Sequence, residues 1–466
     1  MEANKLLDCL KPLLPPGSFL AGGAVRDMLL GVEPRDVDVL VPADPMVLGR
    51  TIAERLDGFF VPLDESRRIA RVVLRGGDDV DLLPIPSGGV PESLAERDFT
   101  MNAIAQSLDT GALVDPFNGR EDLKNKTIRH VAEKNLEDDP LRILRAWRFH
   151  ATLGFSIDPA LLAAIRQKHN RIWSVAPERI AEEWFIILAA PAAGRAVRAM
   201  ADAGTLTALL PELLPMRGCT QNEFHHLDVF DHSLAAIDVV DDIAGRPERQ
   251  FPPEAAPVVA EYLARTLVGR RPRVAYLRFA ALLHDIEKPS ARSVDPDGRV
   301  HFYGHEKTGR ASASAICGKL RLARDESDLV ARLVAQHMIF GPELFDATAD
   351  RDRFFYRIFR DFGGDDGIGL LILSLADRMA SLGPAVTGDF NESHRRLVVD
   401  GVVRYIQEKE RVVPPKLLSG NDVMTALNLP PGPAVGVILE RVRELQAEGK
   451  IRSRDDALRA LPSLRP

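Results

Sequence analysis

The spacing of apolar positions changes along the chain, and the change marks its architecture. Near the N-terminus the apolar runs are short: Ser18 to Ala21 stops at Gly22-Gly23, and Ala24 to Leu30 resumes at helical spacing, so a strand feeds a glycine turn and then a helix. Arg35 to Val41 alternates charged and apolar side chains, as a strand does. Ile69 to Leu74 and Val80 to Leu83 flank Gly76-Gly77 like the arms of a hairpin. From Pro140 the period lengthens: Leu141, Leu144, Trp147 and Phe149 are interleaved with arginines, and most later segments keep helical spacing. The pattern predicts an α+β chain, with a mixed α/β head on a small antiparallel-containing sheet followed by an all-helical body. Gly245 to Ala256 and Lys409 to Pro415 read as joints, and the last boundary is placed near Asp400. No internal repeat or low-complexity tract is visible.

Composition narrows the class. At about 150 residues per domain, 466 residues make about three domains, and 45% hydrophobic with 27% charged residues excludes a disordered or collagen-like chain. Cys9, Cys219 and Cys317 are too few and too scattered for a disulfide framework or a thiolate zinc site, which fits a reducing cytoplasm. Met1 to Pro16 lacks the basic start and apolar core of a signal peptide. The longest apolar runs, such as Ile368 to Ala376, fall short of the roughly 18 residues a membrane span needs. With a net charge of −7, any nucleic-acid site must be a local cluster of arginines rather than a basic surface.

The candidate chemistry begins at Asp36-Val37-Asp38. Two aspartates two apart in a strand emerge on one face, and their repulsion is relieved by a divalent cation between them; Mg²⁺ takes such hard oxygens and leaves positions open for triphosphate. Asp81, on the second arm of the hairpin, is a candidate third carboxylate. The plain alternative is the wet face of an amphipathic strand. Gly22-Gly23-Ala24-Val25-Arg26-Asp27 adds weight, because a glycine turn opening a helix suits a phosphate, although no Gly-Lys-Ser/Thr follows to make it a Walker loop.

Together these stretches resemble a known family, the class II tRNA nucleotidyltransferases, which include CCA-adding enzymes and bacterial poly(A) polymerases. Gly22 to Gly31 followed by Asp36-Val37-Asp38 is similar to its first motif, and Glu96-Arg97-Asp98-Phe99-Thr100-Met101-Asn102-Ala103 to its second. Asp115-Pro116-Phe117-Asn118-Gly119 with Ile128-Arg129 is similar to the segment that follows. Asp138-Asp139-Pro140-Leu141-Arg142 through Phe149 resembles the nucleotide-selecting motif. The resemblance implies catalytic carboxylates at Asp36, Asp38 and Asp81, with Mg²⁺ on Asp36 and Asp38. It implies nucleotide contacts from Gly22, Gly23, Arg26, Arg97, Asn102, Asp139, Arg142, Arg145 and Arg148. Asp138 stands where the family usually has glutamate, and Glu96 where a second arginine is common.

Asp139 and Arg142 are three apart at the start of a helix and present an acceptor beside a donor fork. Cytosine and adenine each show an exocyclic amine beside a bare ring nitrogen and match that pair, whereas uracil and guanine show a carbonyl beside N–H and do not. By resemblance the pair replaces a nucleic-acid template. The bland reading is a helix cap beside a solvated arginine stripe. Only Leu82 to Glu96 separates the Asp81 strand from the second motif, where CCA-adding relatives carry a longer loop that helps switch from C to A. The short segment therefore implies an enzyme that stops at CC.

A second set lies further on. His232, His284-Asp285, His305, His337 and Asp377 resemble the HD phosphohydrolase superfamily, whose metal site uses these residue types. Mixed imidazole and carboxylate ligands suit a divalent transition metal. The resemblance implies phosphatase or cyclic phosphodiesterase activity, although Glu287 replaces the usual glycine after His-Asp-Ile and is expected to crowd the site with a further carboxylate. His225 and His226 are assigned to the loop before it, and Leu417 to Ala460, which resembles the family's tail, to a tRNA grip whose Gly/Pro turn opens a helix or to a simple helical hairpin, which composition does not separate.

The expectation is thus a nucleotidyltransferase-type head over 1–138, a helical neck over 139–220, an HD domain over 221–399 and a helical tail over 400–466. The implied activity is addition of C and/or A from CTP and ATP to the 3′ end of tRNA. The rival products are a poly(A) or A-adding activity of the same family. A rival of another class is an HD phosphohydrolase with the head as an RNA-binding module.

Overall fold

Val37, Val39, Leu40 and Val41 are all buried, and a strand apolar on nearly every position belongs in the middle of a sheet. The computed structural model, which describes residues 3–34, 36–267, 271–341, 351–407 and 414–464, places it there. Arg35 and residues 409–413 of the second expected joint lie outside the described residues. Two compact units result, residues 1–183 with 200–209 and residues 184–199 with 210–466.

The first unit carries a seven-stranded sheet in the order β3-β4-β5-β2-β1-β6-β7. Its strands are β1 (Phe19–Ala21), β2 (Val37–Val41), β3 (Phe59–Asp64), β4 (Ile69–Val73), β5 (Asp79–Pro84), β6 (Ala105–Ser107) and β7 (Leu113–Val114). The expected hairpin is β4 against β5, and β2 pairs with β5 in parallel, the one parallel pair of this sheet. β3 gives no alternating signal because it is an edge strand with Phe59, Val61 and Leu63 exposed and Pro62 within it. The Val90–Ala95 helix, which lies within the short segment before the second motif, packs Val90 and Leu94 against Ala21, Leu40, Ala103 and Ala105. The Leu141–Leu153 helix buries seven of its side chains and ends on Gly154 at φ 69°, a left-handed cap that glycine adopts without strain.

The second unit is helical apart from short two-residue ladders. The Ile368–Ala376 run lies inside the Asp366–Ala380 helix with every side chain buried, and no described helix is long and apolar enough to cross a membrane. Around it stand the helices Val229–Gly245, Arg273–Leu283, His305–Lys319 and Arg324–Gln336. Gly245 to Ala256 is a joint between helices, whereas Asp400 lies inside the Gly388–Gln407 helix. The tail forms its own apolar cluster around Val423, Ile438, Val442 and Leu461. Buried Glu444 ties it to the Arg351–Asp361 helix by accepting from Arg353 and Arg357. Burial alone would raise the Glu444 pKa, but those arginines and Arg441 hold it down at about 2.

Candidate active site

The sheet register builds the first site. Asp38 on β2 stands opposite Asp81 on β5, and Asp81 stands opposite Arg71 on β4, so one row crosses three strands. Asp36 precedes β2 and Asp79 opens β5, two residues from Asp38 and Asp81 respectively, which places four carboxylates together. Desolvation, followed by the charges of Asp79 and Asp38, raises the pKa of Asp36. Such crowding of hard oxygen donors fits a divalent cation. Two arginines offset part of the charge. Arg97 Nη1 donates to Asp38 Oδ2 at 2.8 Å. Arg71 grips both oxygens of Asp81, Nε to Oδ1 at 2.7 Å and Nη2 to Oδ2 at 2.9 Å, with Nη1 on Asp79 Oδ2 at 2.8 Å.

Gly22 has to be glycine here: its φ is +72°, and a Cβ would lie 2.8 Å from Arg97 Nη1 and 3.0 Å from Asp38 Oδ2. It lets the turn pass beside the carboxylates.

A cavity of about 450 Å³ opens over this row, and every head residue expected from sequence lines it except Gly22. Buried Asp98 organises its arginine side, accepting from Asn102 Nδ2 at 2.9 Å and from Arg145 Nε at 2.8 Å. Burial opposes its charge, but Arg145 and these hydrogen bonds hold Asp98 below the usual carboxylate range. Arg26 Nη1 donates to Asn102 Oδ1 at 2.8 Å, and Arg26 and Arg148 lie over the Phe149 ring. Arg148 Nε pairs with Glu183 Oε2 at 2.8 Å. Arg145 and Arg148 therefore reach the cavity with their guanidinium groups already engaged by carboxylates.

Asp139 does two things at once. Its Oδ1 accepts the Leu141 N–H at 3.2 Å, as a helix cap does, and its Oδ2 accepts from Arg179 at 2.9 Å. Arg142 Nη2 donates to the Glu96 carbonyl at 2.7 Å. The cap reading and the cavity reading are both realised. Sequence reasoning missed Arg71, Asp79, Arg179 and Glu183. Asp79 is the one with a readable signal, since it stands two before Asp81 as Asp36 does before Asp38.

The second unit holds the second cluster. One donor atom each from His232, His284, Asp285 and Asp377 lies within 4.8 Å of the others, and Asp285, His305 and His337 form a second such group. Asp285 bridges them: Oδ2 is 3.1 Å from His284 Nε2, and Oδ1 is 3.2 Å from His305 Nε2 and 3.5 Å from His337 Nε2. His232 Nε2 reaches Asp377 Oδ1 at 3.0 Å. His284, His305 and His337 each place Nδ1 2.7–2.8 Å from the backbone carbonyl three residues earlier, which turns Nε2 to the centre. This buried nitrogen and oxygen donor set fits transition-metal ions, two of them sharing Asp285. Burial opposes the negative charge of Asp285 and Asp377, yet the facing histidines hold both well below the carboxylate range, helped at Asp285 by Lys288 at 2.6 Å.

Glu287 corrects an expectation. Its carboxylate is taken by Ser290 and Ser312, so it does not crowd the cluster. His225 lies in the expected loop but also edge-on to His232, at 4.9 Å between ring centres, and lines the adjacent cavity of about 670 Å³. Burial, then the nearby Lys288 charge, pushes its pKa down to about 3.

Known proteins resemble this chain over most of its length. Residues 18–82 and 87–129 match the poly A polymerase head domain, residues 154–216 the family described as "Probable RNA and SrmB- binding site of polymerase A", and residues 229–382 the HD domain. The chain is 37% identical over 453 residues to an A-adding tRNA nucleotidyltransferase of Deinococcus radiodurans, covering 96% of this chain and 95% of the relative. It is 34% identical to a CC-adding tRNA nucleotidyltransferase of Thermus thermophilus, covering 95% and 92%. Among solved structures, a CCA-adding enzyme with CTP matches at TM-score 0.66 and 20% identity, covering 100% of this chain and 99% of that one. The Thermotoga maritima CCA-adding enzyme complexed with tRNA matches at TM-score 0.63 and 19% identity, covering 99% and 98%.

Proposed function

The chain belongs to the tRNA nucleotidyltransferase family with a poly(A) polymerase head, and on that premise we propose that it adds C or A to the 3′ end of tRNA without a template. The observation that carries this reading is one cavity lined by Asp36, Asp38 and Asp81 together with Asp139 and Arg142. Asp36 and Asp38, completed by Asp81, would hold Mg²⁺, which when bound neutralises triphosphate oxygens and makes the RNA 3′-hydroxyl more acidic. Asp81 faces the incoming hydroxyl and draws its proton. Arg26, Arg97, Arg145 and Arg148 anchor the triphosphate, so the 3′-oxygen meets the α-phosphorus in line and pyrophosphate leaves. Asp139 accepts from the exocyclic amine of C or A while Arg142 donates to the neighbouring ring nitrogen. The tail over 400–466 is read as a grip on the tRNA, and the three free cysteines support a reducing cytoplasm as the place of reaction.

The segment from Leu82 to Glu96 supports a single product type. Its Val90–Ala95 helix is anchored in the core through Val90 and Leu94, leaving little chain to reshape the base pocket. On a transcript ending before its CCA, CTP with ATP is expected to give two additions of C and no third. Addition of A only to a transcript already ending in CC would identify an A-adding enzyme, and full CCA synthesis would overturn the short-segment argument. Gel resolution at single-nucleotide length distinguishes the three.

The bridged His/Asp cluster favours a second reaction in the second unit, hydrolysis of phosphoesters on a divalent transition metal. The Mn²⁺- or Ni²⁺-loaded protein is expected to cleave 2′,3′-cyclic AMP. Asp285→Asn, which removes charge from both ion positions, is expected to lower that rate by about 100-fold or more, with nucleotide addition unchanged. Absence of cleavage by the unaltered protein with either metal would leave the cluster a structural one.

A further inference from the structure

Asp81 is asked to serve the cation and the RNA hydroxyl, yet both its oxygens are engaged. Arg71 holds them in a planar, bidentate fork at 2.7 and 2.9 Å. The pair is set by the fold, because Arg71 and Asp81 are direct cross-strand partners on β4 and β5. Arg71 has one further nitrogen in use, Nη1 on Asp79 at 2.8 Å. Asp79 precedes Asp81 by two residues on the same strand, so Arg71 can release Asp81 and keep hold of Asp79. The guanidinium also lines the same cavity as Arg26, Arg97 and the base-reading pair.

We propose that Arg71 is a placeholder cation: it neutralises the carboxylate row while the head is empty, then, anchored by Asp79, gives up Asp81 and binds the triphosphate of the incoming nucleotide. This rests on the reading of the head as a nucleotidyltransferase site. The occupied oxygens of Asp81 call for some such exchange, because a cation or hydroxyl that reaches them meets the Arg71 fork. Asp36, Asp38, Asp79 and Asp81 bring four negative charges against the two positive charges of Arg71 and Arg97. A divalent cation that takes the oxygens of Asp81 displaces the Arg71 fork from them, and the freed guanidinium then meets a polyanion arriving in the same cavity. The same arginine thus disfavours a bound metal without nucleotide and favours the two together.

The test uses the full chain carrying Asp285→Asn, so that the histidine cluster does not dominate metal binding. Mn²⁺ binding without nucleotide is followed by electron paramagnetic resonance, and nucleotide addition is measured at saturating Mg²⁺. Arg71→Gln is expected to bind Mn²⁺ about 10-fold more tightly than its parent and to raise the KM for nucleotide about 10-fold, with kcat changed less than about 3-fold. Arg71→Lys keeps the charge without the fork and is expected to fall between them in both readings; a thermal melt confirms that each variant is folded. Equal Mn²⁺ affinity in the Arg71→Gln protein and its parent overturns the placeholder role. Tighter Mn²⁺ binding with an unchanged KM overturns the transfer to the triphosphate. Failure of the parent protein to extend tRNA would instead sink the reading of the head, and the Mn²⁺ comparison would still report on Arg71.

Discussion

Asp36→Ala/Asp38→Ala protein is expected to lose nucleotide addition by at least about 10³-fold, because on the proposed reading these two carboxylates would hold the cation that stabilises charge on the transferring phosphoryl group. Binding of tRNA, read by gel shift, is expected to persist, since the grip proposed for the tail does not use these two residues. Stability offers an independent check that the loss is chemical. Asp36 has a raised pKa in the folded state, caused by desolvation, Asp79 and Asp38. For a carboxyl raised by folding, stability falls as pH rises from the unfolded value near 4 through the folded one and stays lower above it. Asp36→Asn is therefore expected to melt above the wild-type protein at pH 7 without divalent cation, and the gain is expected to vanish below about pH 4. Wild-type activity in the double variant would remove Asp36 and Asp38 from the chemistry. A loss of activity accompanied by a lower melting temperature would make the defect one of folding.

Asp139→Asn is expected to change which base enters rather than only how fast. The amide keeps an oxygen to accept the Leu141 N–H at the helix start, so the cap is preserved. It also places an N–H where, on the proposed reading, the carboxylate would accept from an exocyclic amine. The preference for CTP or ATP over UTP or GTP, measured as a ratio of kcat/KM, is expected to fall by about 100-fold or more, because an unmatched polar edge in a closed site leaves groups unpaired. Arg142→Ala is expected to slow addition of the correct nucleotide by a similar factor, since on the same reading its guanidinium would supply the donor half. Arg179→Ala is expected to have a smaller effect of the same sign, because Arg179 only holds Asp139 Oδ2 in place. Unchanged discrimination in Asp139→Asn would return Asp139 to the role of a cap alone.

Local period made much of this protein legible. The alternation of charged and apolar residues from Arg35 to Val41 and the Gly76-Gly77 turn predicted β2 and the β4–β5 hairpin, and in β4 and β5 the burial of one strand face writes itself directly into sequence. β3 was not legible, since an exposed edge strand has no dry face to impose alternation. The histidines illustrate the boundary. Their residue types and order pointed to the cluster, but Asp285 as the atom shared by both donor groups follows only from the packing of helices far apart in sequence.

The sequence by itself determined β1, β2, the β4–β5 hairpin and the helical body through short-range spacing, and through motif resemblance most of the residues that line the head cavity and the donor types of the second cluster. Tertiary structure alone decided the pairings. It set Arg71 against Asp81 by strand register, Arg179 against Asp139 across 40 residues, and Glu287 toward Ser312 instead of the histidine cluster. A side chain's local direction follows from its own φ, ψ and rotamer, but what it meets there is fixed by which distant element the core packs opposite.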